Sequence, residues 1–198
     1  MTPVTDGAVL PVILARGWTR RIPGDKALLP WNGKPLVAHA LEAMRDLPGE
    51  PLIVTKRPEG YRSTGCNTIM DTYREETPIS GILTAAGWAE EREIPWLLIA
   101  GADTIPSVPG LYRTLWELRP REPAPTRAVL ITVNGIVQPI PGLYHSSAIP
   151  FWRAAFHRHA YRLTPIAEQI PAHRLAFDYL PYLNINTRDE LPRTRSIA

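Results

Sequence analysis

The sequence contains a single cysteine, Cys66, among its 198 residues, which excludes an intrachain disulfide and fits a reducing compartment. Long apolar runs are also missing. The longest, Trp96 to Ala102, is far below the roughly 20 residues that cross a bilayer. A charged segment ahead of an apolar core, as in a signal peptide, does not occur at the start, MTPVTDGAVL. We therefore predict a cytoplasmic protein without a membrane segment.

An excess of charge of one sign is absent as well, since the formal net charge is only +3. That charge is too small to indicate a nucleic acid as a bulk polyanionic partner. The sequence also has no set of His, Cys and carboxylate residues at zinc spacing, and neither the Walker nor the dinucleotide-binding glycine pattern. These absences give no support to a zinc protein, an ATPase or a dehydrogenase.

Segments typical of strands alternate with segments typical of helices. The hydrophobic fraction of 44% and the charged fraction of 21% are those of one folded domain with its own core. Apolar runs predict strands at residues 12–15, 51–56, 68–70, 95–101, 128–133, 136–144 and 175–180. Helical periodicity predicts helices at residues 34–47, 77–92, 109–118, 147–158 and 164–170. The alternation predicts a single α/β domain with a doubly wound, mostly parallel sheet.

A cationic loop with two glycines follows the first predicted strand. Residues 16–25 include three arginines, and Lys26 follows them directly. Backbone N–H groups converge in loops of this kind, and Arg and Lys add positive charge, so we expect a phosphate-binding site here. Ligands of such sheets lie beyond the carboxyl ends of the strands. Asp71 and Asp103, which follow later strands, should therefore lie opposite this loop.

The segment from residue 12 to residue 36 resembles the signature of the molybdenum cofactor guanylyltransferase family, a group of MobA-like nucleotidyltransferases. The family pattern is L-A-G-G-x-S-x-R-M-G-x-D-K, followed by a leucine-rich run and G-K-P-L. The residues that match it are Leu14, Ala15, Gly17, Arg21, Asp25, Lys26 and residues 27–29 and 33–36. Arg16 and Pro23 stand where the pattern has glycines. Weaker matches lie at residues 71–81, 99–106 and 183–191.

This resemblance implies a Rossmann-like nucleotidyltransferase fold and a Mg²⁺-dependent transfer of GMP from GTP to the phosphate of molybdopterin or the molybdenum cofactor. In that reaction pyrophosphate leaves, and no protein nucleophile is needed. The resemblance also implies a nucleotide-binding half at residues 1–120 and an acceptor-side half at residues 121–198. The implied partners are GTP and molybdopterin-type small molecules, together with proteins that mature molybdoenzymes, but neither a nucleic acid nor a membrane.

The resemblance assigns roles to individual residues. The implied catalytic residues are Lys26, Arg21 and Asp103, with Asp103 as the Mg²⁺ ligand. The implied nucleotide-binding residues are Leu14, Ala15, Arg16, Gly17, Lys26, Asp71 and Asp103. Structural interpretations stay open beside these roles: Lys26 as an exposed lysine at the start of a strand, and Asp103 as the cap of a following helix.

Three further polar residues are also candidates, and the role of Asp71 has an alternative. Asp71 resembles the family aspartate that precedes the segment G-P-L-A-G, where it either contacts the base or ribose or stabilises its own loop. Asn184 and Asn186 resemble the family's N-x-N-T and are assigned to the acceptor side. Alternation directs both side chains to one face of an extended segment, where they reach either the metal or the acceptor phosphate. Asn186 is alternatively a helix cap. His145 is a candidate for a contact on the pterin side.

Two other functions fit the same sequence. The first is a cytidylyl- or guanylyltransferase that acts on another phosphorylated acceptor, such as a cobinamide or a sugar phosphate, because the sequence does not place the residues that read the base. The second is a nucleotide- or pterin-binding protein without turnover, in which Arg16 and Pro23 have degraded the phosphate-binding loop. Binding of GTP, CTP and ATP, measured together with pyrophosphate release, distinguishes the three.

Overall fold

A computed structural model describes residues 8–15, 25–121 and 125–185 of the chain. Its strands, in chain order, are β1 (Val9–Ala15), β2 (Pro30–Trp31), β3 (Lys34–Pro35), β4 (Leu52–Thr55), β5 (Asn67–Met70), β6 (Trp96–Gly101), β7 (Thr104–Pro106), β8 (Ala128–Val133), β9 (Ile136–His145), β10 (Ala172–Phe177) and β11 (Tyr182–Asn184). Its α-helices are α1 (Leu36–Met44), α2 (Pro78–Glu90), α3 (Leu111–Glu117), α4 (Ile149–His157) and α5 (Leu163–Ala167). Short 3-10 helices occupy Lys26–Leu28, Pro58–Thr64 and Ser146–Ala148. No helix within the described ranges has the length and apolar content of a membrane span.

The largest sheet has seven strands in the order β10-β8-β9-β6-β1-β4-β5. Parallel pairing joins β6, β1, β4 and β5, and it also joins β8 to β10. β9 pairs antiparallel with both β6 and β8, so it is the one reversed strand of this sheet in the described part of the chain. β1, β4, β5 and β6 therefore all end at one edge of the sheet, as predicted.

Helices cover both faces of the sheet. The hydrophobic cluster on one face joins α2, α4 and α5 to Val12 and Leu14 of β1, and the cluster on the other face joins α1 and α3 to Ile13 and Ala15. This alternation follows from the two-residue period of a strand. All residues of β1 are buried, which explains why its sequence is a continuous apolar run. The prediction of a doubly wound, mostly parallel α/β domain is confirmed.

Two hairpins turn through Asn-Gly pairs. Asn134 and Gly135 have φ values of 49° and 79° and join β8 to β9, while Asn32 and Gly33 have φ values of 46° and 81° and join β2 to β3. Two successive residues with positive φ are typical of type I′ turns, for which Asn-Gly is the favoured sequence. Each Asn-Gly pair therefore has the sequence that its turn geometry favours.

Element ends differ from the predictions where the structure has a strand pairing that the sequence does not predict. α1 begins at Leu36 rather than at residue 34, because β3 pairs with β2. β10 begins at Ala172 rather than at residue 175, because it pairs with β8 along its whole length. As an edge strand it leaves His173 and Arg174 exposed, so it lacks the apolar run that would reveal its start. The capping-box sequence T-R-D-E at residues 187–190 predicts a further helix, which lies outside the described residues.

Candidate active site

The ends of β1 and β6 form the base of the candidate site. The strands are parallel neighbours, and the N–H of Ala102 donates to the carbonyl of Leu14 at 3.2 Å. The side chains of Leu14 and Ala15 are buried in the cores on opposite faces of the sheet. Any contact that these two residues make with a nucleotide must therefore come from their backbone, and that contact stays a prediction.

Lys26 and Asp103 form an ion pair at this edge of the sheet. Nζ of Lys26 lies 2.5 Å from Oδ2 of Asp103, although 77 positions separate the two residues in sequence. The Lys26 side chain is 7% exposed and the Asp103 side chain 30%. The interpretation of Lys26 as an exposed lysine is therefore wrong. An ammonium and a carboxylate in this position suit a phosphate and a divalent cation, respectively.

A short turn and a buried tyrosine hold Lys26 in place. Oδ1 of Asp25 accepts a hydrogen bond from the N–H of Ala27 at 3.0 Å, and Oδ2 accepts one from the Tyr61 hydroxyl at 2.6 Å. Tyr61 is fully buried. Burial, followed by the bond to Asp25, raises the pKa of the Tyr61 hydroxyl well above its ordinary value, so the hydroxyl stays protonated and donates. No sequence pattern indicates Tyr61, which lies in a predicted loop.

Gly101 allows Asp103 to turn back toward the end of β6. A Cβ at position 101 would lie 2.6 Å from Oδ1 of Asp103 and 2.9 Å from Oγ1 of Thr104, which is too close for real atoms. The carbonyl of Asp103 accepts a hydrogen bond from the N–H of Ile185 at 3.1 Å. The interpretation of Asp103 as a helix cap is wrong, because β7 follows it and Gly110 is the residue that precedes α3.

Asn184 lies beside the loop that carries Asp103. β11 pairs antiparallel with β7, and this pairing puts Asn184 opposite Thr104 with its side chain exposed. Its assignment to the acceptor side is compatible with this position and stays a prediction. The remaining assigned residues, whose roles also stay predictions, lie outside the described ranges: Arg16, Gly17, Arg21 and Asn186.

Asp71 is enclosed by protein groups. Its side chain is fully buried, and Oδ1 lies 3.3 Å from Nζ of Lys56. Oδ1 also accepts hydrogen bonds from the Tyr73 N–H at 3.1 Å and the Thr84 hydroxyl at 3.4 Å, while Oδ2 accepts one from the Ser80 hydroxyl at 2.9 Å. Of its two interpretations, this geometry favours stabilisation of the loop, and a direct nucleotide contact stays a prediction.

His145 lies at the opposite edge of the sheet from this site. Because β9 is reversed, His145 pairs with Trp96 at the start of β6, whereas Asp103 follows the end of that strand. Nδ1 of His145 accepts a hydrogen bond from the N–H of Ser147 at 3.2 Å and so caps the helix Ser146–Ala148. The assignment of His145 to a pterin contact is therefore wrong.

The described ranges contain no group of three or more His, Cys, Asp or Glu residues that could hold a metal ion. A dedicated cage of protein ligands is thus missing from that part of the chain. Mg²⁺ commonly takes only one or two carboxylates and fills its other positions with water and substrate phosphates. The partly exposed carboxylate of Asp103, with the amide of Asn184 on a neighbouring strand, fits this requirement.

Known proteins resemble this chain over nearly its full length. A protein of Halalkalibacterium halodurans named probable molybdenum cofactor guanylyltransferase is 28% identical over 190 residues, which cover 91% of this chain and 94% of the relative. The molybdenum cofactor guanylyltransferase of Brucella ovis is 28% identical over an alignment of 216 residues, which covers 98% of this chain and 94% of the relative. The crystal structure of molybdopterin-guanine dinucleotide biosynthesis protein A from Archaeoglobus fulgidus has the same fold. Its TM-score is 0.75 at 23% identity, with coverage of 95% of this chain and 97% of that one.

A family model described as a MobA-like NTP transferase domain matches residues 11–173, well over half of the chain. The matched range includes both Lys26 and Asp103, which the fold brings together although they are 77 positions apart in sequence. The resemblance seen in the sequence is confirmed by this match and by the curated relatives. The chain is a nucleotidyltransferase that belongs to the MobA-like NTP transferase family.

Proposed function

We propose that this enzyme transfers GMP from GTP to the terminal phosphate of molybdopterin or the molybdenum cofactor, releases pyrophosphate and requires Mg²⁺. The observation that supports this most is the Lys26–Asp103 pair at the carboxyl edge of the parallel sheet. The guanine nucleotide and the pterin acceptor are inferred from relatives that carry the name molybdenum cofactor guanylyltransferase. The division into a nucleotide half at residues 1–120 and an acceptor half at residues 121–198 is part of the proposal.

The proposed reaction forms one bond and breaks one. An oxygen of the acceptor phosphate attacks the α-phosphorus of GTP, and the bond from that phosphorus to the oxygen bridging it to the β-phosphorus breaks in line. The electron pair of the broken bond leaves with pyrophosphate, so no covalent protein intermediate is needed. The protein has to align the two phosphates and to stabilise the negative charge that grows on the leaving group.

Lys26 is the proposed source of positive charge for that leaving group. Its side chain is almost completely buried, so its attraction for a phosphate oxygen is screened less than it would be in bulk water. Asp103 would then hold Mg²⁺, which neutralises phosphate charge and polarises the phosphoryl oxygens when bound. Asn184 would donate to the acceptor phosphate. Arg21 and Arg16 are proposed as further phosphate ligands from the sequence resemblance alone.

Pyrophosphate release tests the proposal directly. The purified enzyme is supplied with Mg²⁺, molybdopterin and either GTP, CTP or ATP, and the dinucleotide product and pyrophosphate are measured. We expect turnover with GTP, and we expect Lys26→Met and Asp103→Asn each to lower kcat/KM by about a hundredfold or more. Arg113→Met is the matched control, because it removes an exposed cation that pairs with Glu117 at 2.7 Å.

Three outcomes would contradict the proposal in different ways. A preference for CTP would indicate a cytidylyltransferase. Turnover of GTP with a cobinamide or sugar phosphate, but not with molybdopterin, would show that the acceptor is one of those phosphates and not molybdopterin. Nucleotide binding without pyrophosphate release from any of these acceptors would indicate a binding protein in place of the proposed enzyme.

A further inference from the structure

We infer that Tyr61 is a positioning residue for Lys26: acting through Asp25, its hydroxyl fixes the turn that directs the Lys26 ammonium toward Asp103. The inference rests on the proposed role of Lys26 in phosphate binding and adds a residue that the sequence pattern does not single out. Its evidence is a continuous set of contacts from the buried core to the ion pair.

The Asp25 carboxylate bridges Tyr61 and the turn. Oδ2 accepts the hydrogen bond from Tyr61 at 2.6 Å, and Oδ1 accepts the bond from the N–H of Ala27 at 3.0 Å. Lys26 lies between Asp25 and Ala27 in sequence, and its amine lies 2.5 Å from Oδ2 of Asp103. A rotation of the Asp25 side chain would change the backbone direction at Lys26, since the same carboxylate caps the N–H of Ala27, the residue that follows Lys26.

Tyr61 is a fixed anchor for that carboxylate. Its ring is fully buried in the core on the α1 and α3 face of the sheet, and its hydroxyl also interacts with Thr55. The helix Pro58–Thr64 packs against the turn, because a Cβ at Gly60 would lie 3.4 Å from Cδ1 of Leu28. A close-packed interior leaves such a ring few alternative positions.

The turn itself supplies little rigidity. The 3-10 helix has only three residues, Lys26–Leu28. Its backbone bonds run from the Leu28 N–H to the Asp25 carbonyl at 3.0 Å and from the Leu29 N–H to the Lys26 carbonyl at 3.1 Å. A 3-10 helix has poorer hydrogen-bond geometry than an α-helix and is stable mainly through its surroundings. The contact from Tyr61 through Asp25 is therefore what we expect to fix the Lys26 side chain.

Tyr61→Phe, which removes one hydroxyl and keeps the ring, is the primary variant. Tyr144→Phe is its matched control, because Tyr144 is equally buried and its hydroxyl donates to the Pro139 carbonyl at 2.6 Å, away from Lys26. Each variant is measured for its unfolding midpoint, for kcat and KM with GTP and molybdopterin, and for the NMR signal of the Lys26 ammonium. That signal is assigned by its loss in Lys26→Met.

We expect Tyr61→Phe to lower kcat about tenfold to a hundredfold with a smaller change in KM, because a displaced Lys26 stabilises the transition state less. Its Lys26 ammonium signal should weaken or shift, because exchange with water becomes faster. Tyr144→Phe should lower the unfolding midpoint to a similar extent and leave both kcat and the Lys26 signal at wild-type values. Asp25→Ser, which keeps a cap for Ala27 but cannot reach Tyr61, should reproduce the effects of Tyr61→Phe.

The inference is overturned if Tyr61→Phe retains the wild-type kcat and Lys26 signal, or if it differs from Tyr144→Phe only in stability. If Tyr61→Phe does not fold, Asp25→Ser decides by the same two readouts. The NMR readout needs no substrate, so absence of turnover in the wild type would contradict the proposed function alone. A wild-type spectrum without a Lys26 ammonium signal would overturn the positioning role itself.

Discussion

The Lys26 ammonium and the Asp103 carboxylate lie 2.5 Å apart, so each is a charged partner of the other. The proposed reaction needs them to separate, because Lys26 is to bind phosphate and Asp103 a divalent cation. A nucleoside triphosphate that carries its cation replaces both partners at once, whereas a cation alone would be placed beside the ammonium. We therefore expect nucleotide and cation to bind cooperatively.

Lys26→Met should increase the affinity of the protein for Mn²⁺ in the absence of nucleotide. Two unit charges about 4 Å apart interact by about 1–4 kcal/mol between bulk water and a protein surface, so removal of the positive charge beside Asp103 should strengthen cation binding about tenfold or more. Titration with Mn²⁺, followed by electron paramagnetic resonance, measures the change. Arg113→Met is the control and should bind Mn²⁺ as the wild type does. Equal affinity in Lys26→Met and the wild type would contradict the expected competition.

Gly101→Ala should lower activity more than it lowers stability. The added Cβ would meet Oδ1 of Asp103 at 2.6 Å and Oγ1 of Thr104 at 2.9 Å, and these side-chain ends have to move. Displacement of a catalytic group by about 1 Å costs up to about a hundredfold in rate. Measurement of kcat/KM and of the unfolding midpoint separates the two effects.

The control for that variant is Gly87→Ala in α2. A Cβ at position 87 meets nothing within 4 Å, and Ala stabilises a helix interior by about 0.5–1 kcal/mol relative to Gly. Gly87→Ala should therefore be slightly more stable than the wild type and fully active. Wild-type kcat/KM in Gly101→Ala would show that the position of the Asp103 carboxylate does not depend on the absence of a side chain at residue 101.

Asp71→Asn should destabilise the protein by about 1–3 kcal/mol, because the buried carboxylate accepts from Ser80 and Tyr73 and pairs with Lys56. Urea unfolding measures the change, with Asp46→Asn at an exposed pair as the control. The affinity for GTP, measured by calorimetry, should change little at temperatures where the variant is folded. Wild-type stability with a large loss of GTP affinity would instead indicate the base or ribose contact.

Local sequence patterns predicted the centre of the candidate site but not its support. Lys26 follows a cationic loop and Asp103 follows the most apolar strand, so the rule that parallel strands end at one edge was enough to bring them together. Tyr61 was not predictable, because its role depends on a hydrogen bond to Asp25 across 36 positions of sequence. A contact of that kind is set by how two separate segments pack.

The position of β9 within the sheet is the second feature that the sequence does not reveal. The Asn-Gly turn correctly predicts that β9 reverses after β8, but it does not say that β9 inserts between β8 and β6. That insertion determines that His145 reaches the start of β6, at the edge away from Asp103. The same dependence on remote pairing explains the shifted start of β10.

The stability of the protein should fall as the pH drops below about 6.5, in part because of His145. Burial, and then the nearby charge of Arg127, lower the pKa of His145 from its ordinary value of 6.5. Below that value the unfolded chain binds a proton that the folded protein excludes, so protonation favours unfolding until the pH reaches the folded pKa. Protonation of Nδ1 would also remove the acceptor that caps the Ser147 N–H.

His145→Asn keeps a good capping oxygen and cannot titrate. Between pH 7 and pH 5 it should lose less unfolding free energy than the wild type, by about a few tenths of a kcal/mol because His145 is only partly buried. Parallel pH profiles in the two proteins, measured by urea unfolding, would contradict this assignment.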